Sequence, residues 1–174
     1  LVLACLDGDG APRVPGGGDP VLAAQGIATP DAASDGDEPS GPSALADAVV
    51  SLWRLGGPGE LRAVAERIVV ANAAGALEQP LAYGAMLRVA AELAQPPRQL
   101  VVVAEERSAP LVAAARRLQR DVFAVVTPAQ AAEWARAGFE LFVEKSAQGG
   151  RATAYDCRDF ACRLPVTDPA ELAA

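Results

Sequence analysis

Two of the three cysteines in the chain, Cys157 and Cys162, lie close together. Thiolates bind metals and exchange disulfides, so this pair is the first candidate for chemistry. A zinc site normally has four ligands, whereas the C-x4-C spacing supplies two and the chain has no histidine. A thioredoxin-type redox pair has two residues between its cysteines and lies at a helix N-terminus. Here four residues separate the cysteines, and a pair of strands is expected around them.

Two interpretations of the cysteine pair are therefore favoured, and the sequence does not decide between them. Cys157 and Cys162 are small buried thiols that stay reduced, or they form a facultative disulfide if their Cβ atoms face each other about 4 Å apart. A redox role for both cysteines is kept as an alternative function. We expect no metal and no cofactor.

Three carboxylates, Asp35, Asp37 and Glu38, cluster in the segment SDGDEPSG. Paired carboxylates perform acid–base chemistry such as glycoside hydrolysis, which makes these three the candidate catalytic residues. The same segment precedes a helical pattern, and acidic groups interact favourably with the positive end of a helix dipole. We favour helix initiation, and the catalytic residues are left unknown.

Composition narrows the classes of function. The 174-residue chain has a formal net charge of −7, which argues against nucleic acid and an anionic membrane surface as partners, because both require a basic face. No run of eighteen apolar residues is present, so no membrane-spanning helix is expected. An odd number of cysteines does not indicate a disulfide-built secreted scaffold, and a cytoplasmic location is expected.

The periodicity of apolar residues predicts three regions. Residues 1–41 are rich in Gly, Pro and Asp and are expected to be irregular. Residues 42–96 show helical spacing, which predicts one helix around Leu45–Trp53, a second ending near Gly75 and a third around Tyr83–Leu93. Helices of this length joined by short turns are typical of antiparallel helical hairpins.

Residues 97–174 have the pattern of a small α/β subdomain with a β-α-β-α order. The apolar run QLVVV and the later run DVFAVV predict buried parallel strands joined by a helix. Thr127 and Gln130 predict a capping box at the next helix. The runs ATAYDC and ACRLPV predict a terminal hairpin. The loop after QLVVV contains no glycine, so a phosphate cradle for a nucleotide is not expected.

Two motifs resemble a known family, the thioredoxin domain-containing proteins related to spermatogenesis-associated proteins. The late region of that family contains DGA-x-PSG-N-S entering a helix, and its end contains G-[KR]-ATAYVC, a second Cys and P-[VL]-T. The first motif is matched by Asp35, Gly36, Pro39, Ser40, Gly41 and Ser43. The second is matched by Ala152, Thr153, Ala154, Tyr155, Cys157, Arg158, Phe160, Cys162, Pro165, Val166 and Thr167. The chain departs from the first motif at Asp37 and Pro42.

The resemblance covers residues 35–172, while residues 1–34 align poorly. It implies a fragment of a longer protein that has an N-terminal thioredoxin-like domain and an (α/α)6 barrel similar to six-hairpin glycosidases. The fold class expected is therefore mixed α and β, with a partial (α/α)6-type barrel of helical hairpins at residues 42–96 and a small α/β subdomain after it. The thioredoxin label belongs to the domain that is missing here and is not transferred to the cysteines.

On this basis we expect a non-catalytic C-terminal module that is structural or partner-binding. Its partner is expected to be the rest of the longer chain, and self-association is a second expectation because an uncovered helical face is apolar. The alternative is a fragment of a carbohydrate-active or epimerase-like barrel enzyme whose acids include Asp35, Asp37 or Glu38.

Overall fold

The computed structural model describes residues 21, 24, 25 and 33–172. Most of the segment expected to be irregular, residues 1–41, lies outside these described residues. The chain divides into two compact units. The first contains the described residues up to Ser51 together with Gly59–Gln95, and the second contains Leu52–Pro58 and the described residues from Pro96 onward.

The first unit is helical. Helix α1 is Gly41–Arg54, of which residues 41–51 belong to this unit, helix α2 is Glu60–Glu78 and helix α3 is Gly84–Leu93. Each helix buries apolar side chains spaced by three or four residues, which is the spacing that places them on one face. The buried set comprises Ala46, Val49, Val50, Trp53, Val64, Ala65, Ile68, Ala76, Met86, Val89 and Leu93. The three predicted helices are confirmed as elements.

The prediction that the second helix ends near Gly75 is wrong, because α2 continues to Glu78. Gly75 serves a close approach inside the helix. A Cβ atom at this position would lie 2.6 Å from the hydroxyl oxygen of Tyr83, which is buried. Tyr83 itself ends a separate 3-10 turn, Pro80–Tyr83, that precedes α3.

The second unit is built on a four-stranded mixed sheet. Its strands are β1 (Arg98–Val103), β2 (Val122–Val126), β3 (Thr153–Arg158) and β4 (Ala161–Cys162), and their order in the sheet is β2-β1-β3-β4. Strands β1 and β2 are parallel, as predicted, and the hairpin β3–β4 is confirmed. Strand β3 also pairs antiparallel with β1, which makes β1 a central strand.

Both faces of β1 are covered, which explains its continuous apolar run. Leu100 and Val102 point to one face and pack in a cluster with residues of helix α4 (Pro110–Ala115). Val101 and Val103 point to the other face and pack in a second cluster with helix α5 (Pro128–Arg136). Side chains alternate along a strand, so the two clusters lie on opposite sides of the sheet.

The predicted capping box at α5 is confirmed. Thr127 Oγ1 accepts a hydrogen bond from the Gln130 N–H at 3.2 Å, and Gln130 Oε1 accepts one from the Thr127 N–H at 3.0 Å. Such reciprocal bonds satisfy two N–H groups that a helix start otherwise leaves unpaired.

The expected partial (α/α)6-type barrel is wrong. Over residues 33–172 the chain has five α-helices and one mixed sheet, and these described residues form no barrel of helical hairpins. The barrel was implied by the resemblance, whereas helical spacing predicts only that each helix buries one apolar face. No helix in the described part of the chain is both long and apolar enough to cross a membrane.

Candidate functional site

Cys157 and Cys162 are joined by a disulfide across the β3–β4 hairpin. The two residues stand opposite each other in the strand register, with their Cα atoms 3.8 Å apart. Cys157 is only 2% exposed and lies in the cluster on the α5 side of the sheet, whereas Cys162 is exposed. One end of this bond is therefore embedded in the core and the other is accessible to solvent.

The hairpin turn is Asp159–Phe160, and both residues have a positive φ, 49° and 65°. Two-residue turns of this kind match the twist of the flanking strands, but the left-handed conformation costs a non-glycine residue about 1 kcal/mol or more. Two hydrogen bonds from backbone N–H groups hold the turn: the Asp159 N–H donates to the carbonyl of Pro97 at 2.8 Å, and the Phe160 N–H donates to the side-chain oxygen Oε1 of Gln99 at 3.1 Å.

Gln99 is fully buried and uses both ends of its amide. Its Nε2 group donates to the carbonyl of Arg54 at 2.8 Å, while its oxygen holds the turn. The Phe160 ring packs edge-on against Trp53 with ring centroids 6.0 Å apart. Sequence reasoning placed Gln99 in a buried strand and assigned it no role, although a polar residue opening an apolar run was the signal.

The three acidic candidates do not come together as a catalytic group. Asp35 Oδ1 accepts from the Ser40 N–H at 2.9 Å, immediately before α1, and Oδ2 accepts from the Ala85 N–H at 2.8 Å, in the first turn of α3. The carboxylate thus serves the starts of two helices. Asp37 and Glu38 are exposed, and within the described residues their side chains make no hydrogen bond or ion pair.

The environment of Asp35 favours its ionised form. Burial opposes ionisation, but hydrogen bonds from the Ser40 N–H, the Ser43 hydroxyl and the Ala85 N–H outweigh it and lower the pKa of this carboxyl below its ordinary value. A carboxylate with a lowered pKa is a poor general acid at neutral pH. Helix initiation therefore accounts for Asp35 more fully than acid catalysis does.

A groove on the α4 side of the sheet, which we call the arginine groove, encloses about 490 Å³. It is lined by Arg98, Arg120, Arg158, Arg163, Asp156, Asp159, Pro96, Cys157 and Ala161. Four arginines and two aspartates give its lining an excess of two positive charges, although the whole chain is acidic. The sequence did not reveal this cluster because its arginines come from β1, the segment before β2, and the hairpin.

One arginine of the groove is held in place. Arg120 forms a two-point ion pair with Asp156, with Nε–Oδ1 and Nη2–Oδ2 distances of 3.0 and 3.2 Å. Its side chain is only 9% exposed. Because the two planar groups match in shape, this pair fixes orientation as well as charge. The pair forms a rigid part of the groove lining.

Arg98 and Arg158 stand directly opposite each other in the β1–β3 register and therefore share a face. Neither guanidinium group is hydrogen-bonded or ion-paired within the described part of the chain, and the same is true of Arg163. The arginine groove thus presents three guanidinium groups to solvent.

Among the described residues, no group of three or more His, Cys, Asp and Glu side chains is arranged to hold a metal ion. The arrangement offers cationic hydrogen-bond donors in the arginine groove and one disulfide beneath it. No protein-family model, curated protein or solved structure matches the chain.

Proposed function

We propose that the chain is a non-catalytic binding module. The observation that supports this proposal is the position of Asp35, whose two carboxylate oxygens are occupied by backbone N–H groups at the starts of two helices. Asp37 and Glu38 are exposed beside it. An acid–base pair needs one free carboxylate and one protonated partner facing a common substrate, and these three residues do not supply that arrangement.

We further propose that the module belongs to a longer polypeptide related to the thioredoxin domain-containing family and located in the cytoplasm. The two motifs at Asp35–Ser43 and Ala152–Thr167 support the relationship. The partner is then the remainder of that polypeptide. An antibody against this chain should detect, in the cells that make it, a polypeptide much longer than 174 residues; a band of this length alone would refute the assignment.

Catalytic function is tested by ligand-dependent stability. We expect a panel of mono- and oligosaccharides to leave the unfolding temperature unchanged, both in the native chain and in the double variant Asp37→Asn, Glu38→Gln. Saccharide hydrolysis or epimerisation by the native chain, abolished in the double variant, would contradict a non-catalytic role. Asp35→Asn is unsuitable for this purpose, because it also weakens the starts of two helices.

A redox role for Cys157 and Cys162 is the second candidate, and the disulfide between them supports it. Formation of that bond removes two protons and two electrons from the thiols and requires an oxidant such as hydrogen peroxide, which is reduced to water. The cytoplasm keeps most thiols reduced, so a functional pair should be reduced in resting cells and oxidised only under stress.

Counting free thiols separates the redox role from a structural disulfide. A redox pair predicts three free thiols in protein from unstressed cells and one after mild oxidant, with dithiothreitol restoring three. The variants Cys157→Ser and Cys162→Ser should each lose the oxidant-dependent change. One free thiol under every non-denaturing condition, unaffected by dithiothreitol, would exclude the redox role.

A further inference from the structure

The arginine groove contains an arrangement that folding alone disfavours. Arg98 and Arg158 face each other across neighbouring antiparallel strands, where like charges repel. No acidic side chain among the described residues pairs with either of them. A sequence with seven excess negative charges has concentrated unpaired cations at one place on its sheet. That arrangement is explained if an anion from outside the chain is bound there.

The groove is also organised before any ligand binds. Asp156 is engaged by Arg120 through both oxygens and does not compete for the other arginines. Arg120 donates a further bond from Nη1 to the carbonyl of Gln119 at 3.0 Å. The disulfide and the bonds to the Asp159–Phe160 turn tie the hairpin that carries Arg158. A backbone held in this way positions the arginines before a ligand binds, which reduces the conformational entropy lost on binding.

The geometry fits a compact oxyanion. Residues directly opposite on antiparallel strands have Cβ atoms about 4.5–5.5 Å apart, so the guanidinium groups of Arg98 and Arg158 reach one small group between them. Arg163 directly follows β4 and stands opposite Asp156, two register positions from Arg158 and therefore on the same side. Three guanidinium groups then surround the ligand with planar pairs of N–H donors.

Charge and size indicate which anion this is. The lining has an excess of two positive charges, and a phosphate monoester has a charge of about −1.5 to −2 and three acceptor oxygens at neutral pH. A volume of about 490 Å³ is in the range of small-molecule sites. We propose that the arginine groove binds the phosphate group of a small phosphate monoester. This proposal names a ligand class for the binding module proposed above. Only its biological meaning rests on that proposed function.

Calorimetric titration of the intact chain with glycerol 3-phosphate tests the proposal. We expect Arg98→Gln and Arg158→Gln each to weaken binding about tenfold or more, because each removes charged hydrogen bonds. Arg107→Gln is the matched control, since Arg107 is an exposed arginine beyond the opposite end of β1 and should leave binding unchanged. The unfolding temperature of Arg98→Gln should not fall, because the change removes a like-charge contact.

The pH dependence identifies the ligand chemistry. Guanidinium groups stay charged, whereas a phosphate monoester loses its second proton with a pKa near 6. Binding should therefore be about fourfold tighter at pH 7.5 than at pH 5.5. Acetate, whose carboxylate is largely ionised across this range, should bind more weakly and show a much smaller dependence.

Three results would overturn the inference: no binding of glycerol 3-phosphate at about 10 mM, equal weakening by the Arg107→Gln control, or acetate binding as tightly with the same pH profile. The failures of the two proposals are distinguishable. If the arginine groove binds no phosphate, the proposal of a non-catalytic module is unaffected. If the chain turns over a saccharide, the non-catalytic module is refuted and the proposal of phosphate binding is unaffected.

Discussion

Replacing Asp35 with alanine removes one carboxylate from the starts of two helices. Its oxygens accept backbone N–H bonds of 2.9 Å at Ser40 and 2.8 Å at Ala85, although these partners are separated by 45 residues of sequence. A helix start leaves several N–H groups without an intrahelical partner, so each lost bond leaves a donor unsatisfied. The substitution should therefore lower the free energy of unfolding.

The magnitude follows from the two bonds. A side-chain cap contributes about 1 kcal/mol to helix stability, and a negative charge near a helix N-terminus adds about 0.3–1 kcal/mol. Asp35 is half-buried, so solvent screening reduces the charge contribution. We expect Asp35→Ala to lower the free energy of unfolding by about 2 kcal/mol at pH 7 and Asp35→Asn, which keeps one acceptor oxygen, by about half of that.

The effect should depend on pH with a definite sign. Although burial opposes ionisation, hydrogen bonds lower the pKa of Asp35 in the folded state below its ordinary value of 3.8. The stabilisation from such a group is fully present above that ordinary value and is lost as the pH falls through the lower folded-state pKa. The difference between the native chain and Asp35→Ala should thus shrink under strongly acidic conditions.

Urea unfolding followed by circular dichroism at pH 7, and again under acidic conditions, measures both effects. Asp37→Ala is the matched control, because Asp37 is exposed and should change stability by less than about 0.5 kcal/mol. The reasoning fails if Asp35→Ala unfolds at the same urea concentration as the native chain. It also fails if the Asp37 control loses as much stability, since the effect would then be one of net charge.

Two further predictions concern packing and buried polar groups. Gly75→Ala should lower the free energy of unfolding by about 1–2 kcal/mol because its methyl group overlaps Tyr83, whereas Gly84→Ala, with open space around it, should raise it by about 0.5–1 kcal/mol. Equal urea midpoints for the two variants would contradict the close approach at Gly75. Gln99→Leu should cost about 2–4 kcal/mol, because it leaves two backbone groups without their partner; an unchanged midpoint would show that water replaces the amide.

Some features of the fold could be predicted from the sequence because they depend only on neighbouring residues. The apolar run of β1 and the capping box at Thr127 are properties of consecutive residues, so they could be predicted. The extent of α2 could not, because the role of Gly75 depends on Tyr83 packing over it. The barrel was expected from the resemblance alone. Helical spacing predicted the helices themselves, and it specifies a buried face without specifying what covers it.

The candidate sites could also be predicted only where they depend on residues close together in the sequence. The opposition of Cys157 and Cys162 follows from a hairpin that turn signals made visible, whereas the arginine groove depends on the antiparallel pairing of β1 with β3. That pairing joins strands separated by about fifty residues, and no pattern within either strand encodes it. The second bond of Asp35, to Ala85, is likewise a consequence of tertiary structure.

The central position of β1 has a consequence during synthesis. One edge of β1 is covered by β2, but the other waits for β3, which leaves the ribosome about fifty residues after β1. At translation rates of about 5–20 residues per second, that edge stays open for roughly 3–10 s. An open apolar strand edge templates pairing with other chains. Truncated messenger RNAs that encode β1 but end before Thr153 should therefore yield products that aggregate and occupy chaperones.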